Sequence, residues 1–172
     1  MTPILGPAQA TSEQACYWAL GHDAPLWYAC DVVRMYWRFA AERGVRPEVA
    51  FAQSCHETGF GYAHTGPDSV LDPSYNNFAG IKTRGGGDNQ NPEAHSRFPT
   101  REVGVIAHLD HLGHYAGAAG YPRSDTPDPR NFDSIFGVAA TVEELSGKWA
   151  GSPTYHFRIV RFVDEIAYTE AS

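Results

Sequence analysis

The stretch Ala50–Gly66, AFAQSCHETGFGYAHTG, decides how this chain is read. Its first half has the character of a helix. Pro47 suits a first helical turn, and Val49, Phe51, Ala52 and Cys55 carry the helix to about Glu57. Gly59 and Gly61 then stop it. Glu57 therefore stands at a helix C-terminus, whose partial negative charge disfavours an ionised carboxylate. Phe51, Phe60 and Tyr62 would desolvate it further, and both effects raise a carboxyl pKa. An acid still protonated near neutral pH can give its proton to a leaving oxygen. The plainer alternative is a solvated glutamate at a frayed helix end, and local features leave both open. The glycines let a polymer approach the backbone closely.

Upstream, residues 1–10 read as an extended arm. Thr11 and Gln14 form a capping box for a helix from Ser12 to near Gly21. Pro25 opens the next helix, in which Leu26, Cys30, Val33, Trp37 and Ala40 recur at helical spacing as far as Arg43. Gly44 closes it. Downstream, residues 59–99 are rich in Gly and Pro, with one strand-like piece at Asn77–Thr83. A long stretch with so little regular structure usually carries function. Val105, Leu109, Leu112 and Ala116 then line a helix that begins after Thr100 and ends at Gly117. Thr141 and Glu144 form a second capping box before a short helix. Ser152 and Pro153 read as N-cap and N1 of a last helix with Ile159, Val163 and Ile166 on one stripe. The expected fold is mainly α, one domain over 1–172 with a small β-containing or irregular lobe inserted at about 59–99.

Composition narrows the function classes. A length of 172 residues fits one domain able to bury its own core. Hydrophobic residues at 42% and charged residues at 19% are ordinary globular proportions. A net charge of −7 argues against nucleic acid as a partner. No apolar run approaches the roughly 20 residues of a membrane helix. Met1–Ala10 lacks the basic start and apolar stretch of a secretory signal, so a chain held in the cytoplasm until released by another route, or a truncated sequence, is expected. Three cysteines, Cys16, Cys30 and Cys55, exclude a full disulfide framework, and buried free thiols are expected.

Ala50–Gly66, followed by NNFAGIKT at 76–83, resembles the signature of the bacterial glucosaminidase family of cell-wall hydrolases. In that family the catalytic glutamate ends a helix before a small residue, glycine, an aromatic and glycine. Here these match Glu57, Thr58, Gly59, Phe60 and Gly61. The family's cleft-lining Asn-Asn/Leu-Phe-Gly-Ile-Lys segment matches Asn76 to Lys82, with Ala79 intervening before Gly80. RFPTREVGVIAHLDHLGHYAG at 97–117 is similar to the helix after the family's β-lobe. KWAGSPTYHFRIV at 148–160 resembles its tyrosine-before-the-last-helix element, which puts Tyr155 at a sugar-contacting position. The resemblance spans about residues 45–168. It implies a lysozyme-like fold with a cleft between helices and lobe, and hydrolysis of the β-1,4 bond after N-acetylglucosamine in peptidoglycan.

A second carboxylate is harder to assign. The family often has one in the lobe some three dozen residues downstream, where Glu93 stands; Asp88 and Glu102 are alternatives. Glu93 follows Pro92 in a loop and is free to face a cleft, or is simply solvated. A substrate-assisted route, with the sugar's N-acetyl group attacking the anomeric carbon, is the rival. Tyr62, Tyr75, Phe78 and Tyr155 are candidate sugar contacts. Asn76 and Asn77 are candidates for acetamido groups, or for turn formation after Pro73. Trp149 is a further candidate sugar contact, though it reads more readily as core.

His108, His111 and His114 recur every third residue but lack a fixed fourth ligand, so a packed or solvated helix face is the preferred reading. His56 and Glu57 begin like a zinc-protease motif, yet Phe60 stands where the second histidine is required. No metal or cofactor is expected, and a monomer acting on glycan strands at the bacterial wall is. A muramidase or lytic transglycosylase on the same fold, and a catalytically silent wall-binding module, are the competing readings.

Overall fold

The structure, a computed structural model, describes residues 1–171. Among them five α-helices follow in order: α1 (Ser12–Gly21), α2 (Val33–Arg43), α3 (Pro47–Tyr62), α4 (Arg101–Tyr115) and α5 (Tyr155–Tyr168). The capping box at Thr11 and Gln14 is present in both directions. Gly44 ends α2 in the left-handed conformation, and Pro47 opens α3. Local rules placed these ends because the capping groups lie within a few residues of the ends they cap.

Helix α3 is the axis. It packs against α2, α4 and α5, and every residue from Pro47 to Cys55 is buried. Phe51 meets Tyr28 and Tyr36, while Leu109, Leu112, Ile159 and Ile166 close the core from α4 and α5. The N-terminal arm is docked. Ile4 is fully buried, its amide donating to Ala140 and its carbonyl accepting from Arg46.

Several expectations need correction. The helix expected from Pro25 to Arg43 begins as a π-helical turn, Trp27–Val32, that runs directly into α2. Cys16 on α1 and Cys30 on that turn form a disulfide, their Cα atoms 5.1 Å apart; Cys55 is free and buried. An odd count rules out pairing every cysteine but does not rule out one bridge. The box at Thr141 is half made: Glu144 accepts from the Ala140 and Thr141 amides, but only a 3-10 turn, Glu143–Leu145, follows. The last helix starts at Tyr155 with Thr154 as its cap position, two residues beyond the expected Ser152 cap.

The lobe is irregular. Its regular pairing is one antiparallel bridge, Lys82 with His95, flanked by Thr83 N–H to Ala94 O and Ser96 N–H to Ile81 O, each 2.9 Å. The strand expected at Asn77–Thr83 does not form because Asn77 folds the chain around itself. Its Nδ2 donates to Ile81 O and Ser96 O, and its Oδ1 accepts from the Ile81 and Ala79 amides. The lobe closes on α4 at Gly104, where a Cβ would stand 1.7 Å from Asn76 O. The result is mainly α and lysozyme-like in layout: helices, a small lobe, and a cleft between them.

Candidate active site

Helix α3 does not stop at Glu57. It turns left-handed over Gly59, Phe60, Gly61 and Tyr62, with φ of 53°, 60°, 69° and 70°. That conformation is costly for a non-glycine residue, so the packing around it must hold it. Phe60 goes into the helical core against Trp18, His22 and Phe162. Tyr62 goes the other way, its hydroxyl donating to Asn77 O of the lobe at 2.7 Å. At Gly61 a Cβ would sit 2.4 Å from the Tyr28 ring, so the backbone there can only be glycine.

Glu57, one residue before the departure at Thr58–Gly59, lies at the base of a cleft of about 490 Å3. The lobe supplies Gly80, Lys82 and His95 to its wall, α4 supplies His111 and Tyr115, and the loops supply Arg130, Lys148 and Trp149. Burial pushes the Glu57 carboxyl up to about 7, against the opposing pull of hydrogen bonds from Tyr155 and Trp149. Such an acid is protonated over part of the neutral range and keeps a proton to give. The Tyr155 hydroxyl donates to Oε1. Oε2 lies 3.6 Å from where a Cβ would stand on Gly80, a residue of the cleft wall.

Glu57 is the only carboxylate bordering this cleft among the described residues. Glu93 is exposed on a 3-10 turn, Pro92–Ala94, away from the cleft lining; Asp88 and Glu102 are exposed as well. The wall is instead positive. Lys82, Arg130 and Lys148 border it, and none of them forms a salt bridge among the described residues. His111 is oriented by Asp128, Nδ1 to Oδ2 2.8 Å, and its ring lies against Trp149 and Tyr115.

The expected sugar contacts divide. Tyr62 borders the cleft beside Glu57. Tyr155 touches the acid itself, and its buried ring puts the hydroxyl on Glu57 where a sugar group was expected. Tyr75 is buried under the Arg97 guanidinium, 3.8 Å from its ring centre. Asn76 donates to Phe98 O, and Phe78 is in the core beside Tyr28. Asn77 borders the inner cleft, but its amide is committed to the lobe backbone. These four residues build the lobe that forms the cleft rather than offering free groups to it. Trp149, read more readily as core, packs half-buried against the core and also borders the cleft.

The histidine trio diverges. His108 joins Gln53 and Tyr36, His111 joins Asp128, and His114 meets Phe132 O. No three metal-ligating side chains gather among the described residues. Sequence reading missed Gln53, although it lies four residues before Glu57 and therefore on the same helix face. It also missed Arg130 and Lys148, which no local pattern brings to the cleft, whereas Lys82 lay in the segment expected to line it.

A helical body, a small lobe and a cleft bordered by one buried carboxyl among the described residues make up the candidate site. The chain belongs to the glucosaminidase family: the sequence profile of that family, described as mannosyl-glycoprotein endo-beta-N-acetylglucosaminidase, matches residues 33–167. It is also similar to an uncharacterised protein of Borreliella burgdorferi, 28% identical over 139 residues, which is 81% of this chain and 63% of that relative. The chain thus spans less than two thirds of the relative's length. No solved structure matches it significantly.

Proposed function

We propose that the chain is a peptidoglycan hydrolase that cleaves the β-1,4 bond after N-acetylglucosamine, with Glu57 as general acid, working at the bacterial cell wall. The observation that carries this reading is the Glu57 carboxyl, raised to about 7 at the base of an open cleft. The family assignment supports the glycosidase chemistry.

The lack of a second carboxylate on the cleft wall among the described residues favours the substrate-assisted route. The acetamido oxygen of the scissile sugar attacks C1 while Glu57 protonates the departing glycosidic oxygen. The bond from C1 to that oxygen breaks, and an oxazolinium ring is left. Glu57, now ionised, takes a proton from water as the water attacks C1 and reopens the ring. The anomeric configuration is retained. Glu93, on the exposed rim of the lobe, takes an auxiliary part at most, so Glu93→Gln loses far less turnover than Glu57→Gln. Equal losses would restore an obligatory second carboxylate.

The test of bond choice is borohydride reduction of digested peptidoglycan before acid hydrolysis. Glucosaminitol at the new ends supports the proposal. Muramitol would make the protein a muramidase, and 1,6-anhydromuramic ends a lytic transglycosylase. No new ends at all would leave a wall-binding module.

A further inference from the structure

Behind Glu57 a line of buried polar groups runs into the core and takes part in none of these steps. Tyr155 Oη, which donates to Glu57 Oε1, accepts from Gln53 Nε2 at 2.8 Å. Gln53 Oε1 is 2.9 Å from His108 Nε2, and His108 Nδ1 is 2.7 Å from Tyr36 Oη. Tyr36, Gln53 and His108 are fully buried, on α2, α3 and α4 respectively.

Chemistry fixes the direction of each hydrogen bond. An ionised Glu57 only accepts, so the single Tyr155 proton goes to it. Tyr155 then needs a donor, and the Gln53 amide nitrogen supplies one. The Gln53 oxygen left over accepts from His108 Nε2–H. Burial, with His111 adding to it, pushes His108 down to about 3, so the ring is neutral and its Nδ1 is bare. Tyr36 therefore donates to Nδ1. All four donors point toward the carboxylate, and hydrogen bonds aligned head to tail polarise one another.

We propose that Tyr36, His108 and Gln53 are positioning residues that, through Tyr155, keep Glu57 Oε1 an acceptor and so place the transferable proton on Oε2, the oxygen beside Gly80 of the cleft wall. The proposal rests on reading Glu57 as the acid. It explains why polar groups occupy the centre of the core, where an apolar set would pack without needing partners. None of the three positioning residues borders the cleft, so their effect belongs in turnover and not in binding.

Gln53→Met keeps the length of the side chain and removes its hydrogen bonds. On soluble peptidoglycan fragments kcat falls on the order of tenfold, as expected when a reacting group is misoriented. KM stays within about twofold, because ground-state binding is untouched. In a Tyr155→Phe background the same change adds nothing, since the chain reaches Glu57 only through that hydroxyl. Tyr36→Phe, which deletes one oxygen at the far end, loses less in the same direction and serves if Gln53→Met does not fold by its melting curve. Unchanged kcat in the folded variant overturns the proposal, and so does a fully additive loss in the double variant. Glu57→Gln run alongside separates the two claims. If it keeps turnover, the reading of the acid falls. If it is inactive while Gln53→Met is unaffected, only the positioning chain falls.

Discussion

At Glu57, burial and hydrogen bonding pull the carboxyl pKa in opposite directions, and burial wins. An ordinary glutamate, as in the unfolded chain, ionises near about 4.3. The folded value of about 7 lies above that. Below the unfolded value both states are protonated and the buried acid costs nothing. As pH rises, the unfolded chain ionises first, and stability is lost until the folded group ionises too. A shift of this size corresponds to roughly 4 kcal/mol. Glu57→Gln is expected to abolish wall lysis yet melt higher than the native protein at pH 8, with the two curves converging near pH ~4. A variant that lyses walls, or one with no gain at alkaline pH, contradicts this. The alkaline limb of kcat should centre near 7. Tyr155→Phe removes a hydrogen bond that favours the ionised carboxylate, so that limb should move to higher pH while kcat falls. Its stability cost should be about 1 kcal/mol, for the Gln53 amide left without its acceptor. An unmoved limb with a lowered melting temperature would make Tyr155 purely structural.

Among the elements, the left-handed turn at the end of α3 and the glycine contact on α4 hold the lobe in place. Gly104→Ala should be the harshest small substitution in the chain, because Asn76 O occupies the place of the new methyl and backbone cannot swing aside. Loss of several kcal/mol is expected, on the scale of overpacked cores. Hydrogen exchange should show the lobe losing protection before α1 does; uniform loss would deny the lobe its dependence on this contact. The helix ends at Ser12, Arg43 and Pro47 were legible because Thr11, Gln14, Gly44 and Pro47 act within one turn. Glu57 stood out as a candidate from the glycines after it, although the helix runs on past it to Tyr62. The left-handed turn was not, since Phe60 and Tyr62 adopt a conformation that only Trp18, Phe162 and Asn77, distant in sequence, make tolerable. Nor was the line from Tyr36 to Tyr155, which exists only once α2, α3, α4 and α5 are in register. The disulfide and the late start of α5 likewise depend on neighbours that the local pattern does not contain.

For the whole molecule, the charge distribution runs against the net charge. A chain of net charge −7 lines its cleft with Lys82, Arg130 and Lys148 and one carboxyl. Such a cleft should favour glycan strands bearing acidic peptide stems over neutral N-acetylglucosamine oligomers. Raising the ionic strength should raise KM for the former much more than for the latter, with kcat little changed. Equal salt responses for both substrates would count the cations out of recognition. Phe60 anchors in the helical body and Tyr62 in the lobe, two residues apart and just beyond the acid. One turn thus stitches the two sides of the cleft together, so a substitution that frees either ring is expected to disturb both walls at once.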